Sequence, residues 1–403
     1  MIRFLTAGES HGKALTTIVE GFPSNLKIEN EYINFHLKRR QAGYGRGLRM
    51  KIETDTAEIL SGIRFQKTLG SPISLLIRNR DWENWTEKMT ADKKKTAVEK
   101  ITIPRPGHAD LVGVSKYNFD DIRNSIERSS ARETAARVAA ASIARKFLDE
   151  FGISIGSFVE SIGGIFPRTN FSKNLYDNNL PKNFSGWDIS AKADRSDVRV
   201  LDTEHERQII NKIKAAKKKG DTLGGTFFVV ATGLPLGLGS FVHYDTKLDA
   251  ELAHSVMSIN AVKAVEIGTG FGCAEKFGSE SHDEIVRKGE IISRKTNRAG
   301  GIEGGTSTGL PIIVRAAMKP IATLMSPIES VDLKTMKPVD ARRERSDFVA
   351  VPACAVIAES MVAWSLAKFF LEKFGGDSVE ETKDNFRAYT QKLNKRVEKN
   401  FKG

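Results

Sequence analysis

Cysteine is almost missing from these 403 residues. The two present, Cys273 and Cys354, can build neither a disulfide framework nor a Cys-rich zinc site, and they suit a reducing compartment. Long apolar runs are missing too: the longest, Phe348 to Ala358, includes a proline and falls well short of the ~20 residues a membrane-spanning helix needs. At the amino terminus, Glu9 and His11 interrupt any apolar run before it is long enough for a signal-type stretch. No stretch is long or uniform enough to act as a flexible tether. A cytoplasmic protein with no membrane partner is expected. Acidic residues are in deficit, 50 Asp and Glu against 62 Lys and Arg, and the net charge of +12 points to anionic partners. With 28% charged and 40% hydrophobic residues the chain is too apolar to be disordered.

Without a linker, residues 1–375 read as one unit. Residues 376–403 read as a charged helical tail with Phe386, Tyr389, Leu393 and Val397 at spacings of three and four, treated as an appendage. The polar segments Thr86–Lys100 and Asn170–Ser185 read as surface loops. Strands are expected over Ile2–Thr6, Thr16–Glu20, Met50–Glu53, Glu58–Ile63, Ile73–Ile77, Thr226–Ala231 and Ile312–Ala316. They come in runs joined by turns, which favours antiparallel sheets and an α+β fold. Two helices, Ala131–Phe151 and Ala353–Phe374, are apolar on most faces and belong in the interior. Both follow an Arg-Ser pair and close on Phe-Leu-x-x-Phe-Gly. An ancient duplication with pseudo-two-fold symmetry would explain this, as would the cheapness of such short matches.

The chemistry gathers in a few segments. His11 lies between glycines in Gly8-Glu9-Ser10-His11-Gly12, on a turn leaving a strand, where an acid/base group is open to a ligand or is merely a turn histidine. Ser10 does not sit in a nucleophile elbow. From Arg39 to Arg49 four arginines are separated by glycines that let guanidinium groups converge on phosphate or carboxylate. A solvated basic patch that binds RNA is the alternative, and the glycine spacing does not fit a dinucleotide turn. Pro104 to Asp110 holds His108 in a proline-stiffened loop. Arg128-Ser129-Ser130 opens a helix and reads as an anion site or a plain cap. Gly-Gly pairs at 300–301 and 304–305 admit a flat ring, and Asp347 follows another basic set.

Taken together these segments resemble the chorismate synthase family: GESHG, RRQAGYGRGLRM, NRDW, PRPGHADLVGVSKY, RSSARETAARVA, SINAVKAVEIG, NRAGGIEGG and ERSDFVAVPA stand in the family's order over residues 1 to about 375. Ser24-Asn25 and Ala141 depart from the family pattern without touching those motifs. The resemblance implies a β-α-β sandwich with central helices between two antiparallel sheets, a homotetramer, and an anti-1,4-elimination of phosphate from 5-enolpyruvylshikimate-3-phosphate that requires reduced FMN. It assigns leaving-phosphate protonation to His11, support of the reduced flavin to His108 and a proton relay to Asp347. It gives Arg40, Arg46 and Arg49 to the substrate, with its two carboxylates and phosphate, or to NADPH, whose use as reductant stays open. It gives the flavin to Arg128, Ser129, Ser130, Asn260, Ala261, Gly304, Lys319, Pro320, Ile321, Ala322, Thr323 and Arg345. A flavin-dependent oxidoreductase or a basic nucleic-acid-binding protein would use parts of the same surface, but neither accounts for both histidines.

Overall fold

The computed structural model describes residues 2–47, 54–93, 97–181, 183–289, 291–343 and 347–401. The expected strand Met50–Glu53 lies outside the described residues. A first sheet is built from β1 (Arg3–Ala7), β2 (Ala14–Glu20), β3 (Ala57–Ser61) and β4 (Ile73–Arg78) in the order β1-β2-β4-β3. A second is built from β5 (Ser154–Ile162), β6 (Gly225–Thr232), β7 (Val262–Ile267) and β8 (Ile312–Met318) in the order β7-β8-β6-β5. Every pairing within these two sheets is antiparallel, as an α+β fold requires. Counted from its own first strand, each sheet runs 1-2-4-3, so the two share one topology.

The helices that matter are α1 (Asn30–Gln41), α2 (Asp110–Tyr117), α3 (Arg123–Ser129), α4 (Thr134–Asp149), α5 (Leu248–Met257), α6 (Val351–Phe374) and α7 (Val379–Phe401). Helix α4 packs on β2 and β4, α6 packs on β5 and β6, and the two helices lie along each other with α1 against both. Alanine makes this closeness feasible. Ala135, Ala136, Ala139 and Ala140 of α4 and Ala355, Ala358, Ala363 and Ala367 of α6 are buried, and short side chains let helix backbones approach. By length and composition α6 passes for a membrane span, but it is buried inside the protein over most of its length. The two Phe-Leu-x-x-Phe-Gly ends meet, with Phe147 and Phe370 ring centroids 5.7 Å apart and Phe151 and Phe370 4.4 Å apart. Burying each ring fully contributes about 1.5–3 kcal/mol.

A carboxylate pins the centre. Glu359 of α6, fully buried, accepts hydrogen bonds from Arg39 of α1 (2.7 and 2.9 Å), Arg145 of α4 (2.7 Å), Arg199 (3.0 Å), Ser157 of β5 (2.6 Å) and Ser190 (2.7 Å). Burial opposes its charge, but Arg39, Arg145 and Arg199 outweigh burial and hold the carboxyl well below its ordinary range.

Two expectations change. The tail is helical, but its first turns are not an appendage: Phe386 packs on Phe151, Phe370 and Phe374, Tyr389 donates to the Leu236 carbonyl, and Lys383 pairs with Glu150. The side chain of Val397 lies outside the described ones. Asn170–Ser185 is not simply a loop. Asn170 caps a short helix, Phe171–Tyr176, whose Leu175 is buried with Phe158, Phe228 and Ile313 on the second sheet, so polar capping residues masked apolar anchors.

Candidate active site

The turn from β1 to β2 carries His11. Gly8 there has φ +106, and a Cβ would strike the Ala14 carbonyl and the Leu15 backbone, so only glycine allows the chain to double back so tightly. His11 sits on Glu127 of α3: Nδ1 is 2.9 and 3.0 Å from the two carboxylate oxygens, and the His11 backbone N–H donates to Oε2 at 2.7 Å. Glu127 is 3% exposed. An ionised carboxylate only accepts hydrogen bonds, so Nδ1 carries the proton and exchange with a ligand falls to Nε2. Trp85, which follows the 3₁₀ turn Arg80–Asn84 beyond β4, stacks on the imidazole with centroids 3.9 Å apart and 25° between planes.

The second histidine is held locally. His108 Nδ1 hydrogen-bonds Asp110 at the start of α2. Arg105 donates to the same carboxylate from Nε at 2.9 Å and from its terminal nitrogen at 3.1 Å, and also to Thr323 Oγ1 at 3.1 Å. Burial works against ionisation of Asp110, but hydrogen bonds from His108 and Arg105 prevail and hold its carboxyl far below the ordinary value. Lys319 Nζ donates to the Gly107 carbonyl, Ala322 lies beside Gly107, and Thr222 donates to the Ile321 carbonyl at 2.7 Å. Pro320 backs onto Gly224, where a Cβ would come within 2.9 Å of the proline nitrogen. Segment 319–323 therefore braces the His108 loop.

The remaining site residues join these two histidines. Arg128 donates to the carbonyls of Gly8 (3.1 Å) and Thr6 (2.9 Å), and Ser130 donates to Ser10 at 3.2 Å, tying the Arg-Ser-Ser segment to the His11 turn. Asn260 Nδ2 donates to the Ser129 carbonyl at 3.0 Å, while the Lys319 N–H donates to the Ala261 carbonyl at 2.9 Å. Ala261 has φ +67, an unusual cost for a residue with a Cβ. Residues 128–130, 260–261 and 319–323 thus form one continuous wall. Arg128 and Asn260 also line a cavity of about 520 Å³ with Phe4, Arg137, Met361 and Trp364, a size that suits a small-molecule ligand. Gly304 is not part of this wall. Its turn abuts the start of α5 and Asn260 follows the end, about 15 Å away at 1.5 Å per residue.

The arginines divide. Arg40 is 3% exposed and bonded to Asp55 (2.5 Å) and Thr134 (3.3 Å), with burial lowering its pKa. Arg132 reaches the same Asp55 and also Asn79 (3.0 Å). Arg46 pairs with Asp347 at 3.3 Å, and the Gly47 N–H donates to Asp347 at 2.5 Å. Arg49 and Arg345 lie outside the described residues. Sequence reasoning gave no role to Glu127, Asp110, Arg105, Asp55 or Trp85, although Arg105 and Asp110 stand in the His108 loop and Glu127 is next to Arg128. Arg132, read with Arg128 as strengthening an anion site at the helix start, is instead buried against Asp55 and Asn79.

The family model for chorismate synthase matches residues 2–371. A chorismate synthase of Chlorobaculum tepidum is 54% identical over 403 residues, covering 99% of this chain and 100% of that protein. One of Aquifex aeolicus is 53% identical over 390 residues, covering 96% of this chain and 97% of that protein. A crystal structure of chorismate synthase matches with a TM-score of 0.78 at 44% identity, over 98% of each chain. With the motifs in order and both histidines set on buried carboxylates, this chain belongs to the chorismate synthase family.

Proposed function

We propose that this chain eliminates phosphate from 5-enolpyruvylshikimate-3-phosphate to give chorismate, with reduced FMN as cofactor. The observation that carries the reading is the pair of histidines, each anchored through Nδ1 to a buried carboxylate and joined by one wall of backbone and side-chain donors. In the elimination the C–O bond to phosphate and a C–H bond break, and a second ring double bond forms. With Glu127 accepting from Nδ1, His11 carries a second proton on Nε2 and delivers that one to the departing phosphate, returning to the Nδ1–H tautomer. His108 faces the cofactor from a loop fixed by Asp110 and Lys319. Asp347 moves a proton at its carboxylate, supported by Arg46 and the Gly47 N–H. Arg40, Arg46 and Arg49 supply positive charge for the acidic substrate, Arg40 from beneath the surface through its field.

The residues present fit a flavin. Asn260 Oδ1 is buried with no hydrogen-bond partner among the described residues, an acceptor suited to a ribityl hydroxyl, and it lines the 520 Å³ cavity. Reduced FMN, when bound, supplies electron density that helps the allylic phosphate leave and takes up a hydrogen. Arg128 to Ser130, Asn260, Ala261 and Lys319 to Thr323 hold it along the wall, with Arg345 assigned to the same set, while Gly304, which stands off that wall, is given to the cofactor by the family resemblance alone. NADPH remains the candidate reductant. The shared 1-2-4-3 strand order supports a sandwich of two halves related by a pseudo-two-fold. A cytoplasmic homotetramer completes the reading, with the exposed cross-strand pair Leu5 and Ile18 offering the outer face of the first sheet for subunit contact.

An anaerobic assay with the enolpyruvyl substrate and chemically reduced FMN should show phosphate release matched by chorismate absorbance, and its absence would overturn the reading. His11→Ala should lower turnover ~10² to 10⁴-fold. Lys319→Ala should weaken binding of oxidised flavin in a fluorescence titration.

A further inference from the structure

A second cavity, of about 470 Å³, is lined by none of the residues assigned to the substrate or the flavin above. Its charged lining is Lys88, Lys100, Arg123 and Arg342 with Glu87 and Glu99. Lys100 is tied to Asp120. Arg123, at the start of α3, stands 3.8 Å from Glu127 and 5.1 Å from the ring of Trp85, the two groups that hold His11. Lys88 lies 5.2 Å from the same ring. Arg342 interacts electrostatically with Arg105 and Asp110 of the His108 loop and with Arg123 and Glu127 of the His11 side. The cavity therefore adjoins both histidine supports.

Cations are crowded there. Arg342 is half-buried, and burial followed by repulsion from Arg105 and Arg123 lowers its pKa, the signature of like charges held together out of water. Arg123 Nε is buried with no hydrogen-bond partner among the described residues. Of the nearby carboxylates, Asp110 is engaged by Arg105 and His108, and Glu127 by His11 and, at 3.8 Å, by Arg123, while Glu87 and Glu99 on the lining still leave its four cations in excess. An oxyanion would relieve both the repulsion and the unmatched donor. The volume exceeds the ~30 Å³ share of one water many times over, so a tetrahedral dianion fits with its hydration.

We propose that Lys88, Arg123 and Arg342 form an oxyanion subsite that receives the inorganic phosphate eliminated beside His11 on its way to solvent. This rests on the elimination reading above. A dianion matches the cations better than a single carboxylate, and Arg123 on the lining touches Glu127 and Trp85, which hold the histidine that protonates the leaving group.

The test titrates inorganic phosphate into the full-length flavin-loaded protein by calorimetry, for the wild type, Arg342→Gln, Arg342→Lys and Lys88→Gln. Loss of one charge-assisted contact should weaken phosphate binding about tenfold in Arg342→Gln, while Arg342→Lys stays within about threefold of the wild type. Product inhibition should follow: the ratio of the phosphate inhibition constant to the substrate KM should rise by a similar factor. Phosphate affinity within about twofold of wild type in both Arg342→Gln and Lys88→Gln would overturn the proposal. So would a KM that rises in step with the inhibition constant, because the cations would then serve a substrate carboxylate. Phosphate binding is read without turnover, so a protein that binds phosphate but forms no chorismate would sink the elimination reading and leave the subsite standing.

Discussion

The two histidines are built to the same plan by different means. His108 and its carboxylate, Asp110, are two residues apart on one stiff loop, and Arg105 of the same loop binds that carboxylate with two hydrogen bonds. His11 and Glu127 are 116 residues apart, joined only when β1, β2 and α3 come together, and the imidazole is further steadied by stacking on Trp85. In the first pair the carboxylate is a structural hub that also serves the histidine. In the second, apart from an ion pair with Arg123 at 3.8 Å, the carboxylate is given over to His11, through the ring and the backbone N–H. Removing the carboxylate should therefore damage stability at His108 and turnover at His11.

The largest expected effect is on the local pair. Asp110→Ala leaves Arg105 buried without its carboxylate, and breaking such a pair costs about 3–5 kcal/mol, measurable by chemical denaturation. A related prediction concerns pH. The Asp110 carboxyl is held below its ordinary 3.8, so its contribution is fully present above about pH 4 and is lost as pH falls through the depressed value. The gap in melting temperature between wild type and Asp110→Asn should narrow as pH drops from about 5 to 2, and a constant gap would refute the assignment. Next comes Glu127→Gln. The amide keeps an acceptor for the His11 backbone N–H but loses the charge and the choice of tautomer, so kcat should fall at least about tenfold with KM and melting temperature little changed. Equal loss of stability in Glu127→Gln and Asp110→Asn would erase the contrast. The smallest effect belongs to Trp85→Ala, where loss of stacking worth about 0.5–1.5 kcal/mol should cost a few-fold in kcat, with Trp85→Phe recovering most of it.

The same contrast explains what could be read from the chain. Pro104 to Asp110 places histidine, arginine and carboxylate within seven residues, so a stiff acid/base loop was legible although the roles of Arg105 and Asp110 were not. The Ala-rich stretches announced α4 and α6 as interior helices, and turn residues on either side announced β2, whose burial alternates because one face is solvated. Glu127 sits in a charged Glu-Arg-Ser-Ser run that looks like a solvated helix start, and only the docking of α3 against the Gly8–Gly12 turn gives it a purpose. Arg39 and Arg40 were alike in sequence. The fold sends one to Glu359 in the core and the other to Asp55 beneath the site.

What the sequence determined by itself is the kind of chemistry and its local hardware: two turn histidines, glycines where the backbone must double back, a surplus of arginine for an acidic ligand, and helices too apolar for the surface. These depend on residue type and short spacing, which act before the chain is folded. Only the tertiary structure decided which carboxylate serves which histidine, which arginines are buried against Asp55 and Glu359, and that Arg123 and Arg342 face one cavity. Those pairings join residues up to 320 positions apart, and a charge declares its partner only once burial has removed the water that would otherwise satisfy it.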